Sequence, residues 1–338
     1  MKPDRPSFQG KTGLKLSNRR SQARRRQRLR LLLLAGSAGL FLVALVMIVN
    51  YINMTRQTVK TGEELKAVYY QGTEAPHTEE PIIEAQALAP LPIVSYSPPP
   101  QLPEETPRPF YATQIPMQQA IVALTPEPAM AERFVTLYKR NQDVVGWLKL
   151  ESVQEIDFPI TKRDNSFYVN HDFYGRSNAA GSAFLDMSCS VLPGSENYII
   201  HAHNMKNGTM FGKLNHLLSL DTLVQKPLAS FDTLYEQGLY VPYAVSIVSI
   251  DPGDERYFPV IEPEFLSDDA KQAYVQQLVS FSAYALPIDV LMEDNLLTLV
   301  TCHGNEQDER LVVGYRKLRA NEAAFEVEDN IRRGTVKL

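Results

Sequence analysis

The 338-residue sequence predicts a mainly β domain, an antiparallel barrel or sandwich, carried behind one membrane-spanning helix and a proline-rich spacer. Three observations predict it. An uncharged apolar run fills 31–52. Thirteen of the 23 prolines crowd into 75–128. Beyond 129, short apolar runs enriched in Val, Ile and Tyr alternate with turn residues. With 44% hydrophobic and 22% charged residues, the chain has room for one sizeable domain plus extensions, or for two small domains.

The elements follow in order. Residues 1–30 hold eleven Lys or Arg against the single Asp4, a net of +10 inside a chain whose total is −5. A basic arm of this kind suits nucleic acid or an anionic surface, and its neighbour decides between them. From Leu31 to Ile52 there is no charge, and Ser37 and Asn50 are the clearly polar residues. About 20 apolar residues at 1.5 Å rise cross a hydrocarbon core. Lys or Arg at mid-bilayer costs several kcal/mol, so the arginines of 24–30 stay cytoplasmic and the chain runs N-in, C-out. The basic arm is then a topology signal and nucleic acid is excluded as a partner. A cleaved signal peptide is the competing reading, but the apolar stretch exceeds a usual h-region and no A-x-A site follows cleanly.

Residues 53–74 are polar with scattered apolar positions, a short helix at most. Proline removes backbone donors and fixes φ, so 75–128 builds neither sheet nor continuous helix. The whole of 53–128 reads as an extracytoplasmic spacer; as random coil, its 54-residue proline-rich part reaches roughly 40 Å. A disordered tail without mechanical role is the plainer alternative. In the domain assigned to 129–338, Phe134, Leu137 and Tyr138 recur at helical spacing and predict one amphipathic helix ending before Gly146. Strands are expected over 156–160, 183–186, 198–202, 239–250, 296–302 and 311–318. Between the last three, Ser267 caps a helical insertion with Tyr274, Leu278 and Phe281 on one face.

Two cysteines, Cys189 and Cys302, make no disulfide framework, so each needs its own explanation. Cys302 ends the apolar run Leu296–Thr301 and opens a polar loop, a place both rigid and accessible for a thiolate nucleophile; a small core hydrophobe is the ordinary role of such a residue. Arg310 opens the next apolar run. If the two pair antiparallel, it faces Cys302 and offers a guanidinium to an oxyanion; the plain alternative is a surface arginine paired with Glu306 or Glu309. A base within hydrogen-bond reach of the thiol completes the pattern of thiol catalysis. His201 and His203, two apart at the end of Tyr198-Ile-Ile, share one face. The same pair, with Cys302 or Asp186, also suits zinc, and a metal-dependent hydrolase is the rival enzyme reading. A non-catalytic binding module, with Cys302 in the core, is the rival of another class. Cys189 reads as structural, with a regulatory disulfide to Cys302 as the alternative.

The stretch TLVTC followed by RLVV, together with YIIHAHNMKNGTMF, resembles the sortase signature of a TLxTC strand, an Arg on the next strand and a Gly-His-Asn-Met segment. NQDVVGWLKL, the segment from Ile156 to Asp186 and the helical insertion near 267–284 point to class B, and the similarity covers roughly 130–318. The resemblance implies a sortase-like barrel and a cysteine transpeptidase with Cys302 as nucleophile, His203 as acid/base and Arg310 as oxyanion support. It implies no cofactor and no metal. It further implies a single-pass extracytoplasmic enzyme of a Gram-positive bacterium that cuts a C-terminal sorting signal through a thioester. The acceptor is then an amine, a peptidoglycan precursor or a pilin lysine. Ala202 departs from the family's Gly, and His201 is an additional imidazole. Substrate-contact residues stay open; Ser182 and Tyr284 are groove positions by placement alone and are not counted among the site residues.

Overall fold

The computed structural model describes residues 12–72, 128–304 and 308–338. A single helix, α1 (Thr12–Gln71), comes first, and its segment from Arg30 onward is long and apolar enough to cross a membrane. After it come α2 (Glu132–Arg140), β1 (Val144–Leu150), β2 (Val153–Thr161), β3 (Phe184–Leu185) and β4 (Asn197–His201). The second half of the domain holds α3 (Leu220–Gln225), β5 (Ala229–Thr233), β6 (Leu239–Ser249), α4 (Asp268–Ser280), β7 (Tyr284–Ala285), β8 (Leu296–Cys302), β9 (Glu309–Lys317), α5 (Ala324–Gly334) and β10 (Val336–Lys337).

Eight strands close a barrel in the order β1-β2-β3-β4-β8-β9-β6-β5. Closure removes the edge strands, and inward positions such as Leu148, Ile156, Ile200, Leu297, Leu299 and Val313 fill the interior with no measurable exposure. All six expected strand regions are strands, but the pairing is not antiparallel throughout. β2–β3 and β4–β8 run parallel. The physical reason is connection length. A parallel neighbour needs a long crossover, and the stretches from 162 to 183 and from 202 to 295 supply it. β1 and β5, which the short apolar runs did not mark, pair through Trp147↔Asp232 and Leu148↔Phe231.

Of the expected helices, α2 buries Phe134 and Leu137 and ends ahead of Gly146. In α4 the Ser267 hydroxyl accepts from Ala270 N, and Tyr274 and Leu278 face the core.

The larger correction concerns residues 53–71, assigned to the spacer. They continue α1 and dock along the barrel. Thr55, Thr58, Thr61, Leu65 and Tyr69 form a stripe at helical spacing. Thr55 accepts from Asn207 Nδ2 (2.9 Å), Thr58 from Asn178 Nδ2 (3.0 Å) and Thr61 from Arg176 Nη2 (3.4 Å). Leu65 and Tyr69 are buried with Phe134, Leu137 and Trp147 in a satellite core. The Tyr69 ring stacks on Trp147 at 4.2 Å and its hydroxyl donates to Asp232 Oδ2 at 2.7 Å. Arg133 reaches the same carboxylate at 2.9 Å. Burying a leucine and a tyrosine in this way is worth about 2 kcal/mol each.

The proline-rich stretch lies outside the described residues up to Pro128, but its flanks are placed. A Cβ on Gly72 would strike the Arg133 backbone, and Ala131 N donates to Leu234 O at 2.8 Å. The chain therefore leaves and rejoins the domain at the same end of the barrel.

Candidate active site

The strand order builds the site. β8 lies between β4 on one side, in parallel, and β9 on the other, antiparallel. The β8–β9 register pairs Cys302 directly with Arg310. The β4–β8 register pairs His201 with Val300, and continuing it two residues sets His203 beside Cys302. Two side-chain bonds hold that continuation: Thr301 Oγ1 donates to Ala202 O at 2.8 Å and Asn204 Nδ2 to Cys302 O at 2.9 Å. The imidazole, the thiol and the guanidinium thus end three adjacent strands and line one cleft of about 250 Å³. Val300 and Thr301 are buried, whereas Cys302 is exposed at the strand end.

The His203 ring has a defined tautomer. Its Nε2 lies 2.8 Å from Val169 O, and a carbonyl only accepts, so Nε2 carries the proton and Nδ1 is the basic nitrogen. On the opposite wall, Glu309 beside Arg310 is already engaged: its carboxylate accepts from Arg256 Nη1 at 2.9 Å. Arg310 Nη1 donates to Glu309 O at 3.0 Å, a main-chain contact.

His201 shares the cleft but is committed elsewhere. Its Nε2 lies 3.0 Å from Asp186 Oδ2, and Asp186 also accepts from Asn165 Nδ2 (2.8 Å) and from the Ser188 hydroxyl (2.6 Å) and backbone N (2.9 Å). Burial alone would push the Asp186 carboxyl up, but the hydrogen bonds from His201 and Ser188 outweigh it and hold the group well below the usual carboxylate range. The two imidazoles therefore turn to different partners, Asp186 and Val169 O. Among the described residues, no three His, Cys, Asp or Glu side chains converge as a metal site would require.

Cys189 stands apart. It is 1% exposed inside the barrel core, its Sγ 3.4 Å from Asn197 O, and burial pushes its thiol up to about 12. Both cysteines are free thiols. Ser182 does line the cleft, with its hydroxyl donating to His171 O. It is placed there by Gly181, whose φ of +62° and close approach to Tyr168 O and Val169 O leave no room for a Cβ. Tyr284 does not line it: it is buried in β7, its hydroxyl donating to Leu218 O at 2.5 Å. Sequence reasoning missed Val169, Asn165, Phe184 and Ile261, all of which line the cleft from loops, a single 3-10 turn or a short strand without a periodic signal.

A family model for the sortase domain matches residues 148–317. Sortase B of Listeria monocytogenes is 35% identical over 175 residues, which cover 52% of this chain and 68% of that protein. The chain belongs to the sortase family. Crystal structures agree in fold. A sortase B-like protein of Bacillus anthracis is 28% identical with a TM-score of 0.51, covering 58% of this chain and 87% of that one. Sortase B of Clostridium perfringens is 25% identical with a TM-score of 0.50, covering 54% and 98%. The likeness is to class B throughout. Sortases are cysteine transpeptidases, and this chain is a transpeptidase of the sortase B type. Family members act on sorting-signal proteins and cell-wall precursors, and they are generally associated with membranes.

Proposed function

We propose that this sortase cuts a C-terminal sorting signal on secreted proteins and joins the shortened protein to an amine, supplied by a peptidoglycan precursor or a pilin lysine. Cys302 is the nucleophile, His203 the acid/base and Arg310 the oxyanion support. The reading rests on the strand order that sets Cys302 between the ends of β4 and β9. Placing nucleophile, base and cation on rigid strand ends meets the positional tolerance that such chemistry demands.

The steps follow from the atoms present. The Cys302 thiol gives its proton to His203 Nδ1, the resulting thiolate attacks the carbonyl of the scissile peptide bond, and the Arg310 guanidinium stabilises the tetrahedral oxyanion. The proton on His203 Nδ1 passes to the departing amine as the C–N bond breaks, leaving a thioester on Cys302. The acceptor amine gives a proton to Nδ1 and attacks the thioester, a new amide forms and the thiolate leaves. Nε2, held by Val169 O, stays protonated and keeps the ring aimed. His201, already bonded to Asp186, takes no part in proton transfer.

We propose further that 31–52 crosses the cell membrane with the basic 1–30 segment cytoplasmic and the barrel outside, since the arginines of that segment resist transfer. The catalytic domain then comprises 129–338 together with the docked part of α1, from Thr55 onward.

The test is intact-protein mass spectrometry of the full chain in detergent with a thiol-reactive sorting-signal peptide. Wild type and His201→Ala are expected to carry one adduct on Cys302, His203→Ala far less, and Cys302→Ala none. An adduct on Cys189, or one that needs His201 in place of His203, overturns the assignment.

A further inference from the structure

The helix that is apolar enough to cross a membrane does not end at the bilayer. It passes from the apolar run 31–52 into the stripe that docks on the barrel, with helical geometry throughout Thr12–Gln71. Position along a helix is fixed at 1.5 Å per residue. The height of each barrel contact above the apolar run can therefore be read from the residue of α1 that it meets. Asn207 meets Thr55, three residues beyond Ile52 and so about 5 Å up. Asn178 meets Thr58 and Arg176 meets Thr61. Arg140 meets Glu64 at 2.7 Å, and Asp232 meets Tyr69, about 21 Å above Thr55.

Asn207 belongs to the turn that follows His203, the segment His203–Met210 in which Phe211 N closes back on His203 O at 3.0 Å. We infer that this turn is a membrane-contacting surface, held against the lipid headgroups by α1, so that the catalytic end of the barrel works at the bilayer face. The reading rests on 31–52 spanning the membrane, as proposed above. Charge agrees with the placement. Arg56, Lys60 and Lys206 are exposed around this level, and α1 carries no acidic residue between Asn53 and Gly62. An exposed basic collar of this kind favours an anionic headgroup layer.

The reach of the site follows. His203 is four residues from Asn207, at most about 14 Å of chain. Catalysis is thereby confined to within about 20 Å of the apolar boundary. A substrate held in the same membrane needs its scissile bond within about six extended residues of its own membrane segment, and one with a much longer stalk overshoots the cleft.

The experiment places a fluorescent bimane on the full chain in a Cys302→Ser background, where buried Cys189 stays unlabelled. Three labelled variants are reconstituted in vesicles of equal parts phosphatidylglycerol and phosphatidylcholine, with nitroxide on either the headgroup or the mid-acyl chain. Val46→Cys, in the span, is expected to be quenched by the mid-acyl nitroxide. Lys206→Cys, on the turn, is expected to be quenched by the headgroup nitroxide at least about threefold more than Glu132→Cys, beside the far end of the stripe. A flexible Gly-Ser insert between Met54 and Thr55 is expected to erase that difference while Val46→Cys stays quenched. Val46→Cys quenched with Lys206→Cys no different from Glu132→Cys overturns the contact and leaves the span intact. Val46→Cys unquenched overturns the span and the contact with it. Persistence of the difference in the insert variant overturns the role given to α1.

Discussion

Cys302 and Cys189 put one functional group into two regions of the same barrel. Cys302 ends β8 where the strand leaves the core, exposed, with Arg310 across one ladder and the His203 segment across the other. Cys189 lies deep in that core, 1% exposed, where burial drives its thiol up to about 12. At pH 8 such a group stays a thiol and is inert as a nucleophile. On the proposed reading, a cysteine becomes chemically useful here by where the strand ends. The residue type settles nothing by itself, and the buried copy is spent on packing.

That contrast can be broken in graded ways. Cys302→Ala is expected to lower transpeptidation by about 10⁴-fold or more, whereas Cys189→Ala retains the activity; a gel assay of product formation on both variants decides it. Arg310→Ala is expected to lower kcat by about 10²–10³-fold, the loss typical of a removed oxyanion donor, with a smaller effect on KM; steady-state kinetics separate the two. On the stability side the ranking reverses. Leu65→Ala, which empties the satellite core under α1, is expected to cost about 3 kcal/mol in urea unfolding, and Cys189→Ala about 1 kcal/mol. Cys302→Ala is expected to change stability by less than about 0.5 kcal/mol, because its side chain is exposed. Iodoacetamide at pH 8 is expected to modify Cys302 alone in the folded protein, and Cys189 only after denaturation.

The pH dependence of the cleft wall sharpens the same comparison between surface and core. Asp186 has its folded-state pKa depressed by His201 and Ser188 against the opposing effect of burial. A depressed carboxylate contributes stability that is present above the unfolded pKa of about 3.9 and is lost as pH falls through the folded value. Asp186→Asn is therefore expected to be less stable than wild type near neutral pH, with the deficit shrinking below about pH 4. Urea unfolding at a series of pH values reads the difference, and a deficit that grows on acidification would reverse the assigned sign.

Much of this was legible in the sequence, and the parts that were not share a cause. Apolar runs with β-branched residues marked the strands that fill the barrel, because their burial leaves a hydrophobic trace. The end of Leu296–Cys302 and the start of the next run were enough to expect Cys302 opposite Arg310, since a hairpin fixes register. The parallel pairings were invisible, because direction depends on connections whose course leaves no periodic mark. Ser182 and Tyr284 were left out of the site for want of a clear signal; Ser182 lines the groove and Tyr284 lies in the core, and their sequence neighbourhoods carry no sign of which way the chain turns. The docked half of α1 escaped notice for another reason. Its contact stripe begins with Thr55, Thr58 and Thr61, which reads as polar spacer, while only Leu65 and Tyr69 are buried hydrophobics.

The two ends of that stripe also separate two lengths. Gly72 abuts Arg133 and Ala131 is bonded to Leu234, so the proline-rich stretch branches off and returns at the end of the barrel remote from the apolar run. Under the proposed membrane placement, adding or deleting prolines there is expected to leave the elevation of Cys302 untouched. If the barrel works at the bilayer face as proposed, insert length and catalytic height are independent variables.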